Sequence, residues 1–250
     1  MPERKLGKKA PRFDTRTLKL AKYTAALPDP PTDCYFTAKI KNWQGALLNN
    51  TLGDCVPAAS GHMIMQWTAY ASSEATVTNT EILAAYEAIG GYVPGDPSTD
   101  NGCDMLTALN YWRKSGIAGH KISAFASLDY DNTKAVKQTV ELFANVYLGL
   151  ALPLTAQDQV NAGEDWTVDE SNPANAEPGS WGGHCVPLVG YNASTLVCLT
   201  WGQLQTMTWD WFLKYSDEAY AVLSTDWLNA ENVSASGFDL ATLQEDLNAL

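Results

Sequence analysis

The chain reads as an α+β fold, with helices gathered in its first half and a mostly antiparallel sheet in its second. Two observations predict this. Helix-length apolar runs follow one another between residues 54 and 117 with no strand-like alternation among them. Further on, "HCVPLVGY", the turn residues "NAS" and "TLVCLTWG" form a hairpin pattern. Helices first and sheet afterwards is not the alternation that builds a parallel βαβ sheet.

The elements follow in order. The proline-rich "LPDPPTD" (27–33) is a stiff break that separates an N-terminal arm, residues 1–31, from a body, residues 32–250. Residues 34–53 look irregular. A helix then runs from about Cys55 to Tyr70 with Asp54 as its N-cap. A second begins after Thr80 and stops at the glycine pair 90–91. A third, "CDMLTALNYWRKSG", has a basic last turn and Gly116 as its C-cap. "KISAFASL" reads as a strand, "NTKAVKQTVELFAN" as a helix and "VYLGLAL" as a buried strand. Residues 156–182 carry six acids and no Lys or Arg and read as a long polar loop, whose acids lack the spacing of a calcium-binding loop. After the hairpin come a short helix, "TWDWFLKY", and a strand, "AYAVLS". The body thus divides into a helical part at about 54–117, a sheet-rich part at about 121–224 and a C-terminal amphipathic helix at about 238–249.

Composition narrows the function classes. The chain is 46% apolar and 18% charged, and no stretch approaches the ~18 uninterrupted apolar residues of a membrane span. The N-terminus has basic residues without an apolar region behind them, so the expectation is a protein made in the cytoplasm without a secretory signal. Five scattered cysteines, with no CxxC and no Cys/His ligand spacing, read as reduced thiols, and no metal or cofactor is expected. The net charge of −12 is uneven: residues 1–22 carry +6 and the rest −18. Such an arm suits the chain's own acidic body or an acidic protein surface. It has no aromatic interleaving for nucleic acid.

The chemistry centres on Cys55. A thiol at a helix N-terminus lies at the positive end of the helix dipole, which favours thiolate, and it needs a base. His62 is seven residues along the same helix, roughly 10 Å away, and reads as a core or groove histidine. His120 follows a helix end and carries no signal. His184 opens a strand behind "WGG", where glycines let backbone or substrate approach closely.

"GDCVPAA" before an apolar helix, with "GGHCVPLVGYNASTLVCLTWG" downstream, resembles the papain-like cysteine peptidase superfamily, both papain and the bacteriocin-processing double-glycine peptidases. In wording ("KLGKK", "GDC", "GGHCVPLVGY", "TWG", "DEAYAVLS") it is also similar to papain-fold proteins encoded by tailed phages and prophages. The resemblance implies a papain-like fold in which the Cys55 helix packs against the sheet carrying His184. It implies Cys55 as nucleophile and His184 as general base, paired as thiolate and imidazolium. It places Asn49, six residues before the cysteine, as oxyanion donor, and Thr200, sixteen after the histidine, where an Asn or Asp would orient the ring. Two departures weigh against catalysis. Thr200 is a weaker orienter than a carboxylate, in a stretch one residue shorter than papain's. Asp54 sets a carboxylate beside the nucleophile.

Two readings follow. One is a cysteine hydrolase of peptide or amide bonds, with a peptide or protein substrate and a groove lined by tryptophans such as Trp181 and Trp201. The other is a catalytically dormant papain-fold structural protein, a virion component anchored by its basic arm. If the arm is an inhibitory propeptide, Tyr23 or Phe13 is expected across the Cys55 cleft.

Overall fold

In the computed structural model, residues 4–24 and 27–227 are described. The expected C-terminal helix at 238–249 lies outside them. The helices are α1 (Ala21–Thr24), α2 (Cys55–Tyr70), α3 (Asn79–Gly90), α4 (Met105–Lys114), α5 (Thr133–Phe143), α6 (Leu154–Ala162), α7 (Pro173–Ala176) and α8 (Trp209–Tyr215). The strands are β1 (Leu18–Lys19), β2 (Cys34–Tyr35), β3 (Ile122–Ser127), β4 (Val146–Leu152), β5 (Gly182–Tyr191), β6 (Thr195–Thr200), β7 (Gln203–Thr208) and β8 (Ser216–Ser224). They form one sheet in the order β1-β3-β8-β4-β5-β6-β7, with β2 also paired to β5. Every pairing is antiparallel except β1 with β3. The fold is the expected mixed α+β arrangement.

The sheet is covered on both faces, and the period-two alternation of its strands shows it. Tyr147, Cys185, Tyr220 and Val222 join the core under α2, α3 and α4. Leu148, Val186, Ala221 and Leu223, their neighbours in sequence, join the core under α5, α6 and α8. This is why "VYLGLAL" is one apolar run. β4 is central and has no polar face.

Helix α2 is the centre of the first core. All of its residues except Tyr70 are buried, so it shows no one-sided apolar stripe. Its polar side chains are therefore committed to partners. Gln66 donates to the carbonyls of Phe36 (2.8 Å) and Ala144 (3.2 Å) and accepts from Asn145 at 2.6 Å. Trp67 Nε1 donates to Phe143 O at 2.8 Å. These bonds tie α2 to the irregular segment before it and to the entry of β4.

Three expectations need correction. Helix α3 starts at Asn79, because Thr78 and Glu81 close a capping box around its first turn. The polar stretch 156–182 is not one loop: α6 reaches into it as far as Ala162, where Gly163 in the left-handed region ends the helix, and α7 interrupts the rest. Strand β7, "QLQTMT", was absent from the sequence expectation. It is an edge strand whose first two residues, Gln203 and Leu204, are exposed, so its apolar signal is thin.

Replacing Gln66 by Leu keeps the volume but leaves the Phe36 and Ala144 carbonyls and the Asn145 amide unpaired in the core. Urea unfolding should show a loss of about 1–3 kcal/mol with an unchanged m-value.

Candidate active site

The N-terminus of α2 meets the start of β5, and Cys55 and His184 line one small hollow there. Its volume is about 10 Å³, no more than one water needs, and Asn49, His62, Thr200 and Trp201 share the lining. The structure thus brings all four predicted site residues together. His120 lies elsewhere, paired with Asp226 at 2.8 Å.

His184 is 1% exposed, and its Nε2 lies 2.7 Å from Thr200 Oγ1. Nδ1 has no hydrogen-bond partner. Trp201 stacks on the ring, with centroids 4.5 Å apart and planes at 14°. The stacking depends on a two-residue hairpin between β6 and β7. Thr200 pairs with Gln203, and both residues between them have positive φ: Trp201 at 45° and Gly202 at 79°. Such a turn suits the strand twist, but it costs a tryptophan backbone strain. Strain of this kind persists where the surroundings hold it, and here it lays an indole over the imidazole.

The loop before α2 is irregular for a comparable reason. Gln44, Leu47 and Leu48 all have positive φ. Asn49, buried at their end, donates its side-chain amide to Leu52 O at 3.1 Å. His62 Nε2 lies 3.1 Å from Trp43 O and 3.0 Å from Gly45 O, so that nitrogen carries the proton and donates to two carbonyls. Asp54 caps no amide with its side chain. Its burial raises the carboxyl well above the ordinary range, against a smaller downward pull from Asn49, and favours the neutral acid. The expected carboxylate beside the nucleophile is thereby softened.

The feature that sequence reasoning missed is what covers the site. Residues 4–9 cross it as a strap. Lys5 N donates to Asn49 O (3.0 Å), Cys103 N to Gly7 O (3.0 Å), Lys8 N to Gly183 O (3.1 Å) and Lys9 N to Cys103 O (3.1 Å). Trp201 Nε1 donates to Lys5 O at 3.2 Å, and the Arg4 guanidinium stands 5.4 Å over the Trp201 ring. The fit is backbone against backbone: a methyl on Gly7 would overlap the Gly53 carbonyl, and one on Gly102 or Gly183 would overlap the strap. Lys8 is buried, and its Nζ lies 2.9 Å from Asp217 and 3.1 Å from Glu218. Tyr23 and Phe13, the residues expected over the cleft, are not there. Tyr23 is in the core with α5, and Phe13 is 89% exposed.

The strap sets the electrostatics. Burial pushes the Cys55 thiol up to about 12, against the pull of the Cys185 and Gly7 backbone amides. Burial, with a smaller push from the Lys8 charge, lowers His184 to about 3. In the covered site both partners are therefore neutral, and the expected thiolate–imidazolium pair is not formed. For both partners the main cause is exclusion of water; the Lys8 charge further disfavours an imidazolium but weakly favours a thiolate.

No family model and no curated protein matches the sequence. Solved structures do share the fold. Xylellain, a cysteine protease from Xylella fastidiosa, superposes with a TM-score of 0.67 at 12% identity, over 90% of this chain and 99% of that one. Digestive procathepsin L 3 of Tenebrio molitor gives 0.61 at 10% identity, over 87% and 75%. The Carica candamarcensis cysteine protease CMS1MS2 gives 0.51 at 13%, over 77% and 98%.

Two outcomes follow. In the intact chain at pH 8, iodoacetamide should label Cys55 slowly, because a thiol held near 12 is almost wholly protonated. Gly7→Ala, which cannot seat the strap, should label at least tenfold faster, with Cys198 in the other core as an unchanged internal control. His62 gives a pH test. Burial lowers it to about 4, while the unfolded chain protonates near 6.5, so its contribution to stability is lost as pH falls between those values. His62→Gln, whose amide can donate to the same carbonyls, should remove a loss on the order of 3 kcal/mol from denaturant unfolding measured across that range.

Proposed function

We propose that this chain is a papain-fold cysteine hydrolase of peptide or related amide bonds, held closed by its own residues 4–9. The observation that carries the reading is the convergence of the α2 N-terminus, the unpaired His184 Nδ1 and Thr200 around one hollow, with residues 4–9 hydrogen-bonded to Asn49, Gly183 and Trp201 beside it. A merely structural use of the fold gives no reason to place a histidine with an open nitrogen beside a helix-terminal thiol. Nor does it explain a buried lysine ammonium whose charge disfavours the imidazolium.

The chemistry follows from the arrangement once the strap has left. Thr200 accepts from Nε2–H, which leaves Nδ1 as the base. Nδ1 takes the Cys55 proton, Sγ attacks the substrate carbonyl, and the imidazolium returns the proton to the leaving amine. Water then hydrolyses the thioester by the same proton path. The free amides of the first turn of α2 face the developing oxyanion, and Asn49 adds a donor when its side chain turns from Leu52. Thr200 orients the ring with a neutral hydroxyl, so the imidazolium receives no carboxylate support, and the expected turnover is slower than a carboxylate would give.

The second reading, a dormant virion component, draws on Thr200 and on the phage-like wording of the sequence. The position of residues 4–9 in the cleft supports an inhibitory segment over an external anchor.

Fluorescent casein tests the choice. Gly7→Ala should hydrolyse it at least tenfold faster than the unaltered chain, and adding Cys55→Ala or His184→Ala should abolish the gain. Fast thiol labelling of Gly7→Ala without any Cys55-dependent hydrolysis would favour the dormant fold.

A further inference from the structure

The side chain of Lys8 leaves the strap next to Gly7 and enters a pocket built around it. Gly149, on β4, forms the floor: a Cβ there would stand 2.7 Å from Lys8 Cε and 2.6 Å from Glu218 Cγ. Gly183 forms the mouth. Asp217 and Glu218 close the end, and Nζ also donates to Lys9 O at 3.0 Å. The Lys8 side chain is 1% exposed and Glu218 7%, while Asp217 Oδ1 is buried with no hydrogen-bond partner. One buried and one partly buried carboxylate, the Asp217 side chain being 23% exposed, therefore face one ammonium, with acceptor capacity left over.

Holding the strap does not require this. Burying an ion pair costs desolvation that a well-packed apolar side chain avoids, so a leucine in an apolar pocket would anchor the segment as well. The acids matter once the strap leaves, because they then line a recess beside Cys55 that only another cation can satisfy.

We infer that the recess formed by Gly149, Asp217 and Glu218 is a specificity pocket that seats a lysine or arginine side chain of the substrate, Lys8 occupying it in the closed chain. The assignment rests on the hydrolase reading and names its substrate class: peptides with a basic residue at one fixed distance from the cut bond. Apolar and acidic side chains are disfavoured there, since the first leaves the carboxylates unpaired and the second adds a third.

The test uses the full-length chain carrying Gly7→Ala to displace the strap and Cys55→Ala to prevent turnover. A fluorescein-labelled hexapeptide, Arg-Lys-Leu-Gly-Lys-Lys, is titrated by anisotropy beside the same peptide with norleucine or glutamate at its fifth position. Lysine is expected to bind at least tenfold more tightly than norleucine, with glutamate weaker still. Asp217→Asn with Glu218→Gln should erase the preference while the melting transition persists. Lys8→Glu, which clears the pocket by charge, provides a second background should Gly7→Ala unfold the chain. Equal binding of the lysine and norleucine peptides, or no binding of either, overturns the pocket. Hydrolysis of a peptide mixture by Gly7→Ala with Cys55 intact separates the two ideas. Cutting without basic preference sinks the pocket and leaves the hydrolase, whereas selective binding without cutting leaves the pocket and sinks the hydrolase.

Discussion

Helix α2 reaches solvent only at its last residue, and much of the molecule is arranged to satisfy that burial. A helix enclosed on all sides needs a partner for each polar side chain. Gln66, Trp67 and Thr68 find theirs in backbone carbonyls of the loop before α2, the entry to β4 and α2 itself. Those bonds fix the helix against the sheet, and the sheet register then brings the first residues of β5 to its N-terminus. The positions of Cys55 and His184 are consequences of a packing constraint about three to four turns away along α2.

The strap uses the same cleft differently. Its contacts are main-chain hydrogen bonds to Asn49, Cys103 and Gly183, finished by a buried ammonium between two acids. Closure dries the site, and a dry site favours uncharged groups: thiol over thiolate, imidazole over imidazolium. On the proposed hydrolase reading, blocking access and suppressing the reactive ionic form are therefore one physical event.

Much of this was legible in the sequence. Cys55 at a helix start after a polar loop, and His184 at a strand start behind glycines, are local signals, and both lie where those signals put them. Thr200 and Asn49 were reached only through the papain resemblance, because nothing in a lone threonine or asparagine announces a role. The strap was not legible. "RKLGKK" has the composition of a solvated tail, and its place depends on glycines at 53, 102 and 183 whose convergence only the fold reveals. The +6 arm on a −18 body pointed to self-association of the right sign. It did not identify Lys8 as the buried cation. Aromatic size drew attention to Phe13 and Tyr23, although the cleft is too narrow for any side chain at its tightest point.

That narrowness governs which changes the molecule can tolerate over many generations. Where main chain touches main chain, the amino-acid alphabet at the contact shrinks to one letter, and the Gly53 carbonyl holds position 7 to glycine. Elsewhere along the strap the grip comes from amides and carbonyls that every residue except proline supplies in full, so most side chains at the exposed positions 5 and 9 are free to drift. The segment can lose most of its spelling and keep its fit, so its kinship with similar segments would fade from the text well before it faded from the shape.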